Sequence, residues 1–281
     1  MIALDDVVLR DDRRGVGALR SLLAPGFVLD AARLLWETSG PIALVTGFFV
    51  GGSAPETDGP PGAGALAEAL LALDRPIVLL TDALCAQVVS AAAPGMRVVA
   101  VPVDADCAAV VAAEGPGVLV AIERLGPSAD GVFRGFRGDD LSATTADFAP
   151  AFRAHPRTIG VGDGGNEIGM GVVAHGMGLD ARLPRMPCVT HTTRLVLASV
   201  SNWGALGLVA GLSALAGRDL LPSAATEVDR LARCLAAGAI DGVTLRAEPT
   251  VDGMPFDVTL RRLAELHAVT RTFLETAAKA G

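Results

Sequence analysis

Residues 158–171 read T-I-G-V-G-D-G-G-N-E-I-G-M-G, and this stretch carries the clearest structural signal in the chain. Its β-branched start predicts a short strand, and the glycines that follow predict a turn with backbone angles closed to other residues. The turn carries three polar side chains, Asp163, Asn166 and Glu167. Two carboxylates and an amide placed among glycines bring acid groups and backbone N–H groups up to a small ligand. The stretch therefore predicts a site directly after a strand.

A purely structural interpretation of the same turn stays open. Glycine patterns of this kind are weak signals alone, and acidic residues near the start of a helix are mildly stabilising. Gly169 and Gly171 fall inside the helix expected to follow, where each costs roughly 1 kcal/mol relative to alanine. We expect close packing or a close ligand to offset that cost.

Outward from the turn, short apolar runs alternate with helical patterns. This alternation predicts an α/β fold with a doubly wound, mostly parallel sheet and helices on both faces. The 281 residues fit a single domain spanning residues 1–281. Residues 194–200 fit a strand or a helix. The predicted strands cover residues 41–45, 76–80, 97–103, 117–122 and 157–161, and the predicted helices cover residues 26–38, 63–73, 83–92, 105–113, 146–154, 203–216, 222–237 and 256–278.

Polar residues follow the predicted strands at the points where they end. In such sheets the ligand binds outside the carboxyl ends of the strands. We therefore expect these residue pairs to converge on one edge of the sheet: Thr46-Gly47, Thr81-Asp82, Glu123-Arg124, Gly162-Asp163 and, if 194–200 is a strand, Ser201-Asn202.

Composition excludes several classes of function. The net charge of −8 argues against a nucleic-acid partner, because a phosphate-binding face needs clustered Lys and Arg. Lysine occurs only at Lys279, which removes pyridoxal-phosphate and P-loop lysine chemistry. The four cysteines form no zinc-binding spacing, so we expect buried thiols in a reducing compartment.

Neither terminus nor interior predicts a membrane partner. The opening MIALDDVVLRDDRR lacks a long apolar core, which predicts a cytoplasmic protein without a signal or transit peptide. Residues 195–217 carry no charge and are long enough to span a bilayer, but Ser and Asn interrupt them. A buried segment of the core is the favoured interpretation. Self-association into a homo-oligomer is left open.

The acids around the turn allow two kinds of chemistry. Asp163 and Glu167, with Asp82 and Glu123 nearby, could hold a divalent cation, Mg²⁺ or Mn²⁺, or act as an acid/base pair. The N–H groups of the turn could instead bind a carboxylate or an oxyanion.

Arginines are the expected partners of a substrate carboxylate, because a guanidinium grips it bidentately. Arg124 and Arg246 are the candidates, although a surface salt bridge is the alternative for each. His191 is the one histidine beside polar residues, and a structural role is favoured for it. Residues 51–62 and 125–142 read as loops, either surface loops or loops over the site.

Several segments resemble the D-glutamate cyclase C-terminal domain family, and the resemblance covers residues from about 46 to 252. The glycine turn and the S-N-W-G motif are specific in combination. The matching segments are V-T-G-F-F at 45–49 with E-T-D-G-P-P-G at 56–62, A-I-E-R at 121–124 followed by D-G at 130–131, G-D-G-G-N-E-I-G-M-G at 162–171, and S-N-W-G at 201–204.

This resemblance implies cyclisation of D-glutamate, a small acidic amino acid, to 5-oxo-D-proline with loss of water. Asp163 or Glu167 would then be the base, Asn166 or Asn202 would orient the amine, and Arg124 would hold the α-carboxylate. Arg194 departs from the family, in which an acid tends to stand there, so substrate preference could differ. The expected substrate-binding residues are Thr46, Gly47, Asp58, Glu123, Arg124, Gly164, Gly165, Ser201 and Asn202.

Two other functions stay open at this point. A G-D-G turn after a strand also occurs in enzymes that bind nucleotides or phosphates, although basic residues are scarce near residues 162–166. A non-catalytic sensor of an acidic metabolite is the second alternative. For the cyclase, Asp163→Asn and Glu167→Gln are each predicted to remove turnover with little loss of stability.

Overall fold

Short runs of Val, Leu, Ile and Ala form the strands of a central sheet in the computed structural model, which describes residues 3–50 and 52–280. Such continuous apolar runs suit strands that are buried on both faces. In chain order the strands are β1 (Ile42–Thr46), β2 (Phe49–Val50), β3 (Ala54–Pro55), β4 (Ile77–Asp82), β5 (Val98–Val101), β6 (Val118–Ile122), β7 (Thr158–Gly162), β8 (Arg194–Leu197), β9 (Thr250–Val251) and β10 (Met254–Pro255).

Helices cover the sheet and the C-terminal part of the chain. In chain order the α-helices are α1 (Leu4–Val8), α2 (Phe27–Glu37), α3 (Pro60–Leu71), α4 (Ala86–Ala92), α5 (Cys107–Glu114), α6 (Ala149–Ala154), α7 (Ser201–Ala216), α8 (Ala224–Ala236) and α9 (Phe256–Ala280). Short 3₁₀ helices cover Val16–Leu22, Ser142–Thr144 and Met170–Leu179.

The six-stranded sheet is parallel throughout, with the order β5-β4-β1-β6-β7-β8. The chain runs outward from β1 to β4 and β5, then returns to build β6, β7 and β8 on the other side of β1. This confirms the doubly wound α/β prediction. Because the connections after β1 and β6 leave in opposite directions, a crevice opens between the carboxyl ends of these two strands.

Two apolar cores hold helices on both faces of the sheet. On one face, α7 packs against α2, α3 and α9, and its residues 201–213 are buried. On the other face, Val111 of α5 and Phe152 of α6 pack with Leu80 and Leu119 of the sheet. The prediction that residues 195–217 lie in the core is confirmed. Over residues 3–50 and 52–280 the helices lack the combination of length and apolar character needed to cross a bilayer.

The residues after the glycine turn differ from the prediction, which placed an α-helix there. They form the 3₁₀ helix Met170–Leu179, preceded by Gly169 with a φ of 108°. A Cβ at Gly171 would lie 2.6 Å from the carbonyl oxygen of Val189. Close backbone packing therefore explains this glycine, as expected.

Candidate functional site

Three carboxylates meet at the crevice between β1 and β6. Asp58 precedes α3, Glu123 follows β6 and Asp163 follows β7. All three are buried, and each offers an oxygen within 4.8 Å of the others. The prediction that strand-end residues converge on one edge is confirmed for Glu123, Asp163 and Ser201, which starts α7.

Glu123 is held in a backbone conformation that few residues other than glycine adopt. Its φ is 44°, in the left-handed region, which costs a non-glycine residue of order 1–3 kcal/mol. The Ser201 hydroxyl donates to Oε2 of Glu123 at 2.5 Å. Gly59 also has a positive φ, of 90°, and a Cβ there would lie 2.7 Å from the Cβ of Glu123. The loop before α3 thus packs directly on this glutamate.

Asp58 connects that loop to the N-terminus of α7. Its Oδ2 accepts from the backbone N–H of Ser201 at 2.8 Å, and its Oδ1 accepts from that of Asn202 at 2.8 Å. Asn202 in turn accepts from the N–H groups of Gly59 and Gly62 and donates to the carbonyl of Thr57. Because all its polar atoms are occupied, Asn202 fixes the loop, and the expectation that it orients the amine is not supported.

Glu167 occupies the backbone N–H groups of the glycine turn. Its Oε1 accepts from Gly164 at 2.7 Å and from Asp163 at 3.3 Å, and its Oε2 accepts from Gly165 at 2.8 Å. The expectation that these N–H groups bind a substrate oxyanion is therefore wrong for this conformation. Glu167 is fully buried and acts as the internal anion that shapes the turn.

Arg14 is a site residue that the sequence did not reveal. Its Nη1 donates to Asp163 and its Nη2 donates to Asp252, so one guanidinium bridges two carboxylates. The guanidinium carbon lies 5.3 Å from the centroid of the Phe136 ring. Asp252 has a φ of 54° and is buried, so it resembles Glu123 in being a strained acid at the site.

A cavity of ≈ 400 Å³ opens beside these groups. Arg14, Glu56, Glu123, Asn166 and Asp252 contribute polar walls. Residues 135–137 of the long irregular segment and Leu141 also line it, so this predicted loop does border the site. Residues 52–62 contribute Glu56 to the cavity and Asp58 to the acid cluster, so this predicted loop also borders the site, and Gly51 lies outside the described residues.

Arg124, expected to hold a substrate carboxylate, lies away from the cavity. It is fully buried, donates through both terminal nitrogens to Asp82, and also donates to the carbonyls of Gly47 and Ala146. Its guanidinium carbon lies 4.9 Å from the ring centroid of Phe148. Arg124 and Asp82 therefore form a buried ion pair next to the Gly47 carbonyl, and these contacts do not support substrate binding by Arg124.

Other sequence candidates are also placed elsewhere. The Arg246 side chain is 73% exposed and pairs with Glu248. His191 is exposed. Arg194 starts β8, at the opposite end of the sheet from the site, and pairs with Asp30. The departure at Arg194 therefore does not alter the cavity.

Asn166 lines the cavity, and its amide nitrogen donates to the Arg134 carbonyl at 3.0 Å. Gly164 and Gly165 do not line the cavity, and they give their N–H groups to Glu167. Thr46 is different, because its buried Oγ1 has no partner among the described residues.

Burial and mutual repulsion raise the pKa of the acids. Burial, with Asp252 second, raises the pKa of Asp58 to about 7. Burial, then the charges of Glu167 and Asp58, raises the pKa of Glu123 well above its usual value. Burial likewise raises the pKa of Asp163, but there Arg14 acts in the opposite direction. Proton uptake near neutral pH is therefore built into the site.

Stability is expected to fall as pH rises, because these acids have higher pKa values in the folded state. For Asp58 the stabilising term is complete below its unfolded pKa near 3.8 and is lost as pH passes the folded value of about 7. Urea midpoints measured from pH 5 to 9 should decrease, and Glu56→Gln, which removes another buried acid of raised pKa, should flatten the curve. Midpoints that increase over this range would contradict the pKa directions.

The carboxylate cluster also fits a hard divalent cation. Asp58, Glu123 and Asp163 supply oxygen ligands, which Mg²⁺ and Mn²⁺ prefer. Nearby, the buried Oε1 of Glu56 and Oδ2 of Asp252 have no hydrogen-bond partner within residues 3–50 and 52–280. A cation among these acids would relieve their repulsion.

The chain is similar over most of its length to a curated human protein. The human protein named D-glutamate cyclase, mitochondrial, is 29% identical over 296 residues, which cover 88% of this chain and 47% of that protein. The chain thus spans about half the length of this relative. A hypothetical protein from Xanthomonas campestris, known from a crystal structure, is 15% identical with a TM-score of 0.31, covering 67% of this chain and 89% of its own. No inference rests on the latter similarity.

The family model for the C-terminal region of D-glutamate cyclase-like proteins matches residues 4–267, which is nearly the whole described chain. The match includes Arg14, the acid cluster and the glycine turn. The chain belongs to the D-glutamate cyclase-like, C-terminal family.

Proposed function

We propose that this protein cyclises D-glutamate to 5-oxo-D-proline with loss of water. The observation that carries the proposal is the buried acid cluster beside Arg14 at the switch point of the sheet. Glutamate has one ammonium and two carboxylates, so it complements a cavity that presents several carboxyl groups and a guanidinium. The family membership and the name of the human relative support this choice of substrate.

Ring closure needs the amine to lose its proton and the attacked carboxyl to lose an oxygen. The new bond joins the amine nitrogen to the side-chain carboxyl carbon, and one carbon–oxygen bond breaks. Two protons leave the ammonium and two leave on the water, so the overall proton count is unchanged. A site with one ionised and one protonated carboxyl can transfer them.

The surroundings of Asp163 and Glu123 divide these tasks between them. Burial raises the pKa of Asp163, but the ion pair with Arg14 opposes this shift, which suits a base that takes a proton from the amine. Glu123 is surrounded by other acids that favour its protonated form, which suits an acid that donates to the departing oxygen. Glu167, whose carboxylate is occupied by the turn, has neither task.

The cavity itself contributes by holding the substrate in a folded conformation. Intramolecular attack is accelerated by correct positioning, because the substrate has already lost its conformational freedom when it binds. If a divalent cation is held by Asp58, Glu123 and Asp163 instead, these acids would act as its ligands rather than as the acid/base pair, and the cation would polarise a carboxyl oxygen. Because the four cysteines are free and buried, we also propose a reducing compartment such as the cytoplasm.

The test is to incubate the purified protein with D-glutamate and with L-glutamate, with and without EDTA, and to follow 5-oxoproline by chromatography. A sample without protein corrects for spontaneous ring closure. Product from D-glutamate in excess of this control supports the proposal, and its loss in EDTA supports the cation. Tight binding of glutamate without product would favour a sensor, and nucleotide binding that raises the melting temperature would favour a phosphate-binding enzyme.

A further inference from the structure

Arg14 is held in place by its own turn as well as by the acids. Asp12 accepts from the backbone N–H groups of Arg14, Gly15 and Gly17 at 3.1, 2.7 and 3.0 Å. Gly15 then takes a φ of 89° to start the next helix. The backbone that carries Arg14 is therefore preorganised, while its side chain, 17% exposed, reaches the cavity.

We propose that Arg14 receives a carboxylate of the substrate and thereby releases Asp163, so that carboxylate recognition and activation of the base are one event. This inference rests on the proposed function for the identity of the reaction. In the structure Asp163 is tied to Arg14 and to the N–H of Ser201. A base in an ion pair has to be freed before it can take a proton from an amine.

Exchange of one carboxylate for another avoids the main cost of breaking a buried ion pair. Removing one partner of such a pair is strongly destabilising when the other charge is left uncompensated. When a substrate carboxylate replaces Asp163, Arg14 keeps two negative partners, the substrate and Asp252. The released Asp163 gains the substrate ammonium, so neither charge is left alone.

This exchange selects ligands that carry both charges. An amine without a carboxylate leaves Asp163 bound to Arg14, and a dicarboxylate without an amine places further negative charge beside the acids. An amino acid satisfies both partners. Arg153, by contrast, is exposed near the end of α6, next to the amino end of β7 and away from the cavity, so it provides an arginine for comparison.

The experiment compares Arg14→Gln and Arg14→Lys with Arg153→Gln in the full chain. Loss of the guanidinium in Arg14→Gln should lower kcat/KM for D-glutamate by about 100-fold or more. Arg14→Lys should lose nearly as much, since an ammonium is a point charge and does not replace two guanidinium nitrogens, and it replaces the Gln variant if that protein does not fold. Arg153→Gln should stay within about threefold of wild type, as expected for an exposed charge away from the cavity.

Separate values of KM and kcat distinguish this role from a structural one. Arg14→Gln should raise KM for D-glutamate, because the substrate carboxylate loses its guanidinium partner, whereas a smaller fraction of folded protein alone would lower the apparent kcat and leave KM unchanged. An unchanged KM in this variant, or undiminished kcat/KM, would overturn the inference while leaving the proposed function intact.

Binding of D-aspartate gives a readout that needs no turnover, because its ring closure would give a strained four-membered lactam. D-Aspartate carries both charges and should bind wild type, measured by calorimetry, and its binding to Arg14→Gln should be weaker by at least about tenfold, the effect of a lost charge-assisted pair. If wild type binds D-aspartate through Arg14 but does not cyclise D-glutamate, the proposed function fails and the carboxylate-binding role of Arg14 stands. Equal binding by both proteins overturns that role.

Discussion

Asp163→Asn is expected to lower kcat for the cyclisation of D-glutamate by about 10³-fold, the contribution typical of a positioned general base. Asparagine keeps the size of the side chain and one acceptor for the Ser201 N–H, but it cannot take a proton from the amine. Initial rates of 5-oxoproline formation provide the measurement. Circular dichroism should show that the variant remains folded.

Asp104→Asn is the matched control, because Asp104 is exposed and far from the cavity in the loop after β5. Its rate should stay within about twofold of wild type, as is usual for surface substitutions. A folded Asp163→Asn protein with a wild-type rate would remove Asp163 from the reaction and leave Glu123 as the candidate base.

Glu167→Gln is expected to destabilise the protein by about 3 kcal/mol, because an amide NH₂ would face a backbone N–H that now donates to a carboxylate. The turn offers three such donors, from Asp163, Gly164 and Gly165. The free energy of unfolding in urea, followed by circular dichroism, measures the loss. This reverses the sequence-based expectation of little change in stability.

Glu37→Gln, on the exposed end of α2, is the control for removing one negative charge, and it should change stability by less than about 0.5 kcal/mol. A Glu167→Gln protein with wild-type stability and no turnover would assign Glu167 to the chemistry after all. In that case the hydrogen bonds from the turn N–H groups to Glu167 would not stabilise the free enzyme.

The sheet and the position of the site could be predicted from local sequence patterns. Apolar runs such as 41–45 and 117–122 are recognisable because both faces of each strand are buried. Parallel strands put their carboxyl ends at one edge of the sheet, so the sequence alone predicts that Glu123 and Asp163 lie at the same edge. The edge of the sheet that carries the cavity was predictable, because the direction of the strands determines it.

Side-chain direction at that edge could not be read as easily. Glu123 and Arg124 are neighbours in sequence, yet Glu123 joins the acids beside α7 while Arg124 packs on Phe148 across the sheet. The chain leaves the extended conformation at Glu123, where φ is 44°, so the alternation of side chains along a strand does not give these directions. A single arginine next to a candidate catalytic acid is therefore weak support for substrate binding.

Long-range contacts account for what the sequence missed. Arg14 meets Asp163 across 149 positions and Asp252 across 238 positions. Its segment has no periodic pattern, and an arginine on the surface would look the same. The N–H groups of the glycine turn are free or bound to Glu167 depending on the side-chain rotamer of Glu167. Amino-acid composition does not encode that rotamer.

The most direct test follows the attacked carbon itself, with D-[5-¹³C]glutamate and ¹³C NMR, in wild type and Asp163→Asn at equal concentration. In wild type the carboxylate signal should be replaced by a lactam carbonyl signal. The Asp163→Asn sample should match the sample without protein over the same time. Lactam formation at the same rate in both proteins, or in neither, would contradict the claim that this acid-lined cavity closes the ring.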